Sequence, residues 1–233
     1  MERATSVRIV GVIPAAGHAT RLQPLVGSKE VTLVNGRPAM DYLHDRMQLA
    51  ECRTLRVVTR PEKGDVIRHS RDLGAEIVLG HPATLADSLG LGVQGLGPAD
   101  VVLFGFPDSV WTPVDGFVRL RQALETGSNR VVLGLFETRH PERCEIVSSA
   151  SDGLVTAIAF KPTRPTSHVM WGCFAARAGA LAGLERFDEP GRFLDELCRN
   201  EPVLGVRLGE YLDFGTKEAL RAAPTDPLVT SQQ

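Results

Sequence analysis

The chain has 233 residues, of which 43% are hydrophobic and 23% are charged, values that fit one medium-sized soluble globular domain. Its formal net charge of −2 argues against binding to nucleic acid or to an anionic membrane through a basic surface. No stretch approaches the ~20 apolar residues that cross a bilayer, and the four cysteines, dispersed without zinc-site spacing, predict reduced thiols in a cytoplasmic protein.

The first part of the chain alternates short β-branched runs with longer amphipathic segments. In chain order these predict a strand over 7–13, a helix over 38–50, a strand over 55–59, a helix over 65–73, a strand over 76–79, a helix over 85–96, a strand over 100–106, a helix from the Thr112-Pro113 pair to residue 126, and a strand over 130–136. Thr112 and Pro113 suit an N-cap and a first helical turn. This rhythm predicts an α/β fold, a mostly parallel sheet with helices on both faces.

The rhythm changes after residue 137, where strands follow one another with few helical residues between them. The predicted elements are strands over 145–149, 154–160 and 169–176, short helices over 178–184 and 192–199, and a last strand over 203–208. We interpret this part as the substrate-binding portion of one domain that spans residues 1–223. Residues 224–233 are polar and predict a disordered tail, and the helices after Ala178 are candidates for a homodimer contact.

The stretch from Ile13 to Glu30 is the most informative part of the sequence. A buried strand leads into Ala15-Ala16-Gly17, where small side chains let the backbone approach a ligand and successive N–H groups can bind phosphate oxygens. Arg21 and Lys29 then supply positive charge. The loop follows the carboxyl end of a strand, where open α/β sheets bind ligands. Neither G-x-G-x-x-G nor G-K-[ST] occurs there, so the loop differs from dinucleotide-binding and P-loop motifs.

This stretch resembles the N-terminal signature of the sugar-phosphate nucleotidyltransferases, approximately L-A-A-G-x-G-T-R-L-x-P-L-T-x-x-x-P-K, and most of all the glucose-1-phosphate thymidylyl- and uridylyltransferases. The matching residues are Ala15, Ala16, Gly17, Thr20, Arg21, Leu22, Pro24, Leu25 and Lys29. The resemblance implies the Rossmann-like fold of nucleotide-diphospho-sugar transferases, here as a single domain without the C-terminal β-helix of some relatives. It also implies that the loop backbone and Arg21 bind the triphosphate and that Lys29 stabilises charge at the reacting phosphates. Ser28 replaces the proline that usually precedes the lysine, a change expected to have little effect.

Two aspartates predict a Mg²⁺ site. Asp108 follows a strongly apolar strand, and a carboxylate at that end of a parallel sheet can hold Mg²⁺ against nucleotide phosphates. The passage resembles the family's strand that ends in G-D, with two residues inserted between Gly105 and Asp108. The run Glu210-Tyr-Leu-Asp-Phe-Gly-Thr-Lys-Glu218 resembles the family's W-x-D-I-G-T-P-E, which implies that Asp213 is the second metal ligand.

Further residues match family positions that contact the nucleobase and the acceptor. The segment after Leu79 resembles the family's base-binding segment, which implies nucleotide contacts from His81, Pro82 and Ala86. Phe160-Lys161-Pro162 resembles E-K-P, in which the lysine holds the sugar phosphate, and Gly172 matches a glycine near the sugar. Phe160 replaces the glutamate that binds sugar hydroxyls, so the acceptor half matches the family less well than the nucleotide half.

The resemblance implies an enzyme that transfers a nucleoside monophosphate from an NTP, with dTTP or UTP favoured, to a sugar 1-phosphate, giving an NDP-sugar and pyrophosphate. Arg21, Lys29 and Asp108 are its expected catalytic residues and Mg²⁺ its cofactor. Two alternatives stay open from the sequence. One is a cytidylyltransferase acting on a phosphorylated non-sugar acceptor, suggested by Phe160. The other is a non-catalytic nucleotide-sugar sensor, which would not need to keep all of these charged residues.

Overall fold

The computed structural model describes residues 7–18 and 27–215, which contain thirteen strands and five α-helices. In chain order they are β1 (Ile9–Pro14), β2 (Leu33–Val34), β3 (Arg37–Pro38), α1 (Ala39–Leu49), β4 (Thr54–Thr59), α2 (Gly64–Asp72), β5 (Glu76–Leu79), α3 (Leu85–Val93), β6 (Val101–Gly105), β7 (Ser109–Trp111), α4 (Gly116–Thr126), β8 (Val131–Glu137), β9 (Glu145–Ser149), β10 (Val155–Phe160), β11 (Val169–Arg177), α5 (Pro190–Asn200), β12 (Val203–Arg207) and β13 (Tyr211–Asp213).

The main sheet has nine strands, and its central order is β5-β4-β1-β6-β11-β8-β12. Within this order neighbouring strands are parallel except at β11, which runs antiparallel to both β6 and β8, and the two further strands, β9 and β10, are antiparallel to each other. Long Val/Ile/Leu runs form these strands because a sheet covered on both faces buries successive side chains on opposite sides. The predicted mostly parallel α/β sheet is confirmed.

Strand alternation divides the core between the two faces of the sheet. In β6, Val102 and Phe104 join one buried cluster, whereas Val101 and Leu103 join the other. Apolar side chains of α3 and α5 pack in the first cluster, and those of α1, α2 and α4 pack in the second. Helices therefore cover both faces, as the sequence predicts.

The structure corrects one helix start. Helix α4 begins at Gly116 and not at the Thr112-Pro113 pair, because the Thr112 hydroxyl accepts a hydrogen bond from the amide of Glu210 (2.9 Å) instead of capping the helix. The predicted helix over 178–184 is two 3-10 turns, Ala178–Leu181 and Leu184–Arg186, separated at Gly183, whose φ of 86° is left-handed.

A split in the sheet positions the site. One edge of β11 pairs with β6 along Cys173 to Arg177 and with β9 only at Met170. Strands β6 and β9 therefore diverge where β6 ends, and a cleft opens between the carboxyl ends of β1 and β6 on one side and β9 and β10 on the other. No helix in the described ranges is long and apolar enough to cross a membrane.

Candidate active site

A cleft of about 780 Å³ opens at this split. It is lined by the loop after β1, the 3-10 turn at Lys29, the start of α3, the segment after β6, the start of β9, the end of β10, the residues before α5 and the end of β13. Segments far apart in the sequence thus meet at the carboxyl ends of the central strands, which is where ligands bind in open α/β sheets.

The loop after β1 is held by its carbonyl groups. The Ala15 carbonyl accepts hydrogen bonds from the Thr59 hydroxyl (3.2 Å) and the Lys63 ammonium (2.8 Å). Arg60 donates to the Ala16 carbonyl (2.8 Å), and Lys63 also donates to the Gly17 carbonyl (3.2 Å). The sequence predicts a loop whose N–H groups face a phosphate, and Ala16 and Gly17 do line the cleft.

Lys29 and Asp108 form an ion pair inside the cleft, with 2.6 Å between the lysine Nζ and the aspartate Oδ2. Burial lowers the pKa of the Lys29 ammonium, but the charge of Asp108 and its hydrogen bond raise that pKa more, so it lies above its ordinary value. Lys29 is therefore a fixed cation at neutral pH.

Asp213 joins this pair through the β7–β13 ladder. Ser109 pairs with Asp213 in the antiparallel register, and the Phe214 amide donates to the Asp108 carbonyl (2.7 Å). A Cβ added at Gly215 would lie 2.8 Å from Asp213 Oδ1 and 3.2 Å from Asp108 Oδ2. Both carboxylates therefore reach the same small space.

This donor set fits Mg²⁺, a hard cation that takes oxygen ligands and is commonly held by one or two carboxylates together with substrate phosphates and water. The described part of the chain contains no group of three or more His, Cys, Asp or Glu side chains that could hold a metal. A metal bound by Asp108 and Asp213 therefore needs further ligands from substrate or solvent.

Ser28, the departure from the family's proline, has a specific partner. Its amide (2.6 Å) and its hydroxyl (2.8 Å) both donate to the Asp65 carboxylate at the start of α2. A proline has no N–H and no hydroxyl, so it would make neither bond. Ser28 and Asp65 together fix the backbone just before Lys29.

Of the three residues that the family resemblance assigns to the nucleotide base, only Pro82 lines the cleft. Pro82 lines the cleft beside Thr84, whose side chain caps α3 in a capping box with Asp87. His81 is exposed and lies 2.9 Å from the Glu62 carboxylate, and it is not part of the cleft lining. Ala86 is fully buried in the first turn of α3 behind that lining.

At the acceptor end, Lys161 is exposed to the cleft and has a left-handed φ of 42°. Its amide donates to the Cys144 carbonyl (3.0 Å), which ties the end of β10 to the start of β9. The Phe160 ring lies between two cations, with the Lys161 ammonium and the Arg192 guanidinium each 4.6 Å from its centroid. Gly172 lies in β11, where a Cβ would be 2.5 Å from the Tyr211 ring, and its neighbours Met170 and Trp171 line the cleft.

Glu145 is a cleft residue that sequence reasoning missed. The Trp171 indole donates to its carboxylate (2.6 Å), which packs on the backbone of Gly191 at the start of α5. Burial raises the pKa of Glu145 to about 7, and the negative charge of Glu189 contributes to the rise. The hydrogen bond from Trp171 and the positive charges of Lys161 and Arg192 act in the opposite direction and lower this pKa. The cleft thus contains a carboxylate close to the position where Phe160 lacks one.

Arg21, the third predicted catalytic residue, lies outside the described residues, as does the predicted tail over 224–233. The structure brings Ala16, Gly17, Lys29, Asp108, Asp213, Pro82 and Lys161 into one cleft. No local motif indicates Arg60, Lys63 or Glu145, because their partners lie between 22 and 48 positions away.

The loop after β1, the lysine–aspartate pair and the second carboxylate lie in one cleft of this fold, as the resemblance to nucleotidyltransferases leads us to expect. In agreement, the model of the MobA-like NTP transferase domain matches residues 11–196. The chain therefore belongs to the family of MobA-like NTP transferase domains, and the expected enzyme class, a nucleotidyltransferase, is confirmed at the level of the family.

One curated protein is also similar to this chain in sequence. The chain is 25% identical over 192 residues to the low-salt glycan biosynthesis nucleotidyltransferase Agl11 of Haloferax volcanii, a match that covers 78% of this chain but only 53% of that protein. The chain thus spans about half the length of this curated relative.

Solved structures share the fold. A putative glucose-1-phosphate thymidylyltransferase from Bacillus anthracis, in complex with sucrose, has a TM-score of 0.83 at 18% identity and covers 92% of this chain and 93% of its own. UDP-glucose pyrophosphorylase from Acinetobacter baumannii has a TM-score of 0.78 at 18% identity, with 93% and 92% covered. The predicted fold type is confirmed by these two likenesses.

Proposed function

We propose that the chain transfers a nucleoside monophosphate from an NTP to a sugar 1-phosphate, with release of pyrophosphate, and that dTTP or UTP is the donor. The observation that carries this proposal is the meeting of Lys29, Asp108 and Asp213 in one cleft with the loop over 15–17. The sugar phosphates and nucleotides in the names of the structural relatives support the choice of substrates.

In this reaction an oxygen of the acceptor phosphate attacks the α-phosphorus in line, and the bond from that phosphorus to the β-phosphate oxygen breaks. Amide groups of Ala16 and Gly17 hold the leaving pyrophosphate together with Arg21. Lys29 offsets charge at the α-phosphate, and Lys161 orients the acceptor phosphate. Catalysis then consists of positioning and charge stabilisation, which phosphoryl and nucleotidyl transfer mainly require.

Asp108 and Asp213 would hold Mg²⁺. When bound, the metal neutralises negative charge on the phosphates. The carboxylates themselves are kept close by the β7–β13 ladder and by the absence of a side chain at Gly215. We place the reaction in the cytoplasm, which is consistent with four free cysteines.

Glu145 favours a sugar over a non-sugar acceptor. A cytidylyltransferase with a non-sugar acceptor remains the second candidate because Phe160 lacks the carboxylate that accepts hydrogen bonds from sugar hydroxyls. Since Glu145 brings a carboxylate to the same end of the cleft, an acceptor with hydroxyl groups has a hydrogen-bond acceptor there.

Pyrophosphate release with Mg²⁺ tests the proposal, with each common NTP measured against a panel of sugar 1-phosphates and phosphorylated alcohols. Release that needs one nucleotide and one sugar phosphate supports the proposed reaction and identifies both substrates. Release only with CTP and a phosphorylated alcohol would favour the second candidate. Tight NTP binding without release under any combination would instead indicate a sensor.

A further inference from the structure

The connection between β4 and α2 and the first residues of α2, together residues 60–65, contact the loop after β1 and the turn at Lys29. Arg60 and Lys63 hold the carbonyl groups of the loop over 15–17. Lys63 also pairs with Glu30 (2.7 Å), and Asp65 holds Ser28. This short segment thus fixes the loop over 15–17, the backbone of Ser28 and the side chain of Glu30, the residues on either side of Lys29.

The direction of these bonds determines where the loop presents its donors. In a trans peptide unit the N–H points away from the C=O. The carbonyls of Ala15, Ala16 and Gly17 are held by the cations, so the amides of the next residues in each case point the opposite way. These residues, Ala16, Gly17 and His18, all line the cleft. The amides of Ala16 and His18 thus point away from Lys63, and backbone N–H groups that face one space can bind an anion.

Lys63 holds two of the three carbonyl groups and differs from Arg60 in its position relative to the cleft. Arg60 lines the cleft, whereas Lys63, within the described residues, is not part of its lining. Its ammonium is fixed from the other side by Glu30, whose side chain is fully buried. An ammonium with one carboxylate and two carbonyl partners has its three donors occupied.

We infer that Lys63 is a positioning residue for the nucleoside triphosphate: it holds the carbonyl groups of Ala15 and Gly17 and so aims the amides of Ala16 and His18 at the phosphates, without touching the nucleotide. The inference rests on the proposed function only for the identity of the ligand.

Arg56 provides a matched control for Lys63. Arg56 lies in β4. Like Lys63, it donates hydrogen bonds to two carbonyl groups, those of Gly92 and Gln94, and to one carboxylate, that of Glu76. Its exposed fraction is 15%, against 13% for Lys63. Lys63→Met and Arg56→Met therefore remove bonds of the same kinds, although Glu30 is fully buried and Glu76 is 59% exposed, and only the first set reaches the loop.

Two measurements test the inference in both variants. The first is hydrogen exchange of the amides over 15–18 without any nucleotide. The second is calorimetry with UTP or dTTP and Mg²⁺, with no acceptor. We expect Lys63→Met to speed exchange at those amides and to weaken nucleotide binding about tenfold or more, with little change in the KM of the acceptor. Arg56→Met should change neither, and Lys63→Arg should restore most of the affinity.

If Lys63→Met does not fold because Glu30 is left buried without its cation, Lys63→Met/Glu30→Gln removes both charges and is measured instead. Equal exchange and equal affinity in the Lys63 and Arg56 variants would overturn the inference. If exchange responds as expected but the wild-type protein binds neither nucleotide, the choice of donor in the proposed function fails while the positioning of the loop stands.

Discussion

At the scale of single residues, the ion pair between Lys29 and Asp108 is the clearest feature of the site. Asp100, before the same strand β6, forms a comparable pair with Arg8 at 2.6 Å. The two aspartates have side chains that are 8% and 11% exposed, so burial does not distinguish them. Their location does, because only Asp108 faces the cleft.

We therefore expect Asp108→Asn to lower kcat about 100-fold or more, since it removes charge at the reacting phosphates, and to change the melting temperature little. Asp100→Asn should lower the melting temperature, because the Asp100 carboxylate also accepts hydrogen bonds from the amides of Arg8 and Gly97, and should leave kcat nearly unchanged. Steady-state pyrophosphate release and thermal unfolding of both variants check this prediction. Full activity of Asp108→Asn would show that the metal assignment is wrong.

Glu145 gives a prediction on pH. Its pKa in the folded protein is about 7, above the ordinary 4.5, so folding favours the protonated carboxyl. The associated stability is present below about pH 4.5 and is lost as pH rises through 7. Glu145→Gln resembles the protonated form and should be more stable than wild type above about pH 8, by up to about 3 kcal/mol.

Denaturant unfolding of Glu145→Gln and wild type between pH 5 and 8 measures this difference. Glu142→Gln is the control, because Glu142 is half exposed and three positions away. A difference between wild type and Glu145→Gln that does not vary with pH would contradict the assigned pKa.

Residues of the site were predictable where a contiguous motif contains them. Lys29, Asp108 and Asp213 were inferred from three separate runs, and the structure brings them together. Lys63 and Glu145 were not, since each acts on residues from other elements and no spacing in the sequence encodes those contacts. The role of Ser28 becomes clear only in the folded protein, where Asp65 in α2 accepts a hydrogen bond from the Ser28 hydroxyl.

At the scale of elements, the short ladder between β7 and β13 brings the two carboxylates together. We expect Gly215→Ala to raise the Mg²⁺ concentration for half-maximal activity about tenfold, because a Cβ there crowds both carboxylates and disturbance beside metal ligands weakens binding by that order. Gly90→Ala in α3, where a Cβ meets nothing within 4 Å, is the control.

A Mg²⁺ titration of pyrophosphate release, with circular dichroism to confirm folding, measures both variants. If Gly215→Ala and Gly90→Ala show the same Mg²⁺ dependence, the two aspartates do not form the metal site.

Element types were predictable from hydrophobic periodicity, and most helices and strands of the α/β part fall within a few residues of their predicted bounds. The start of α4 was not, since the hydroxyl of Thr112 bonds to Glu210, almost a hundred positions later. The order of the strands after β8 was also not predictable, because pairing of β11 with β6, β8 and β9 depends on tertiary contacts.

At the scale of the whole molecule, the two apolar clusters share one sheet, so they are expected to unfold together. The sequence contains two tryptophans, Trp111 in the cluster with α1 and α4 and Trp171 in the cluster with α3 and α5. We expect Trp111→Phe and Trp171→Phe each to show the same urea midpoint by fluorescence of the remaining tryptophan and by circular dichroism. Two midpoints in either variant would mean that the faces unfold separately.

The double pairing along one edge of β11 has a consequence for the way such a protein can be altered. Strands β9 and β10 supply Glu145 and Phe160 to the cleft, whereas the loop after β1 and the segment after β6 supply Ala16, Gly17 and Asp108. Among the strands of the described residues, only β11 is hydrogen-bonded to both β6 and β9. Under the proposed function, we therefore expect a graft that exchanges 138–168 and 185–200 for the equivalent segments of a relative to transplant acceptor choice, if the graft keeps the packing of α5 against α3 and the hydrogen bond from the Ala86 amide to the carbonyl of residue 188.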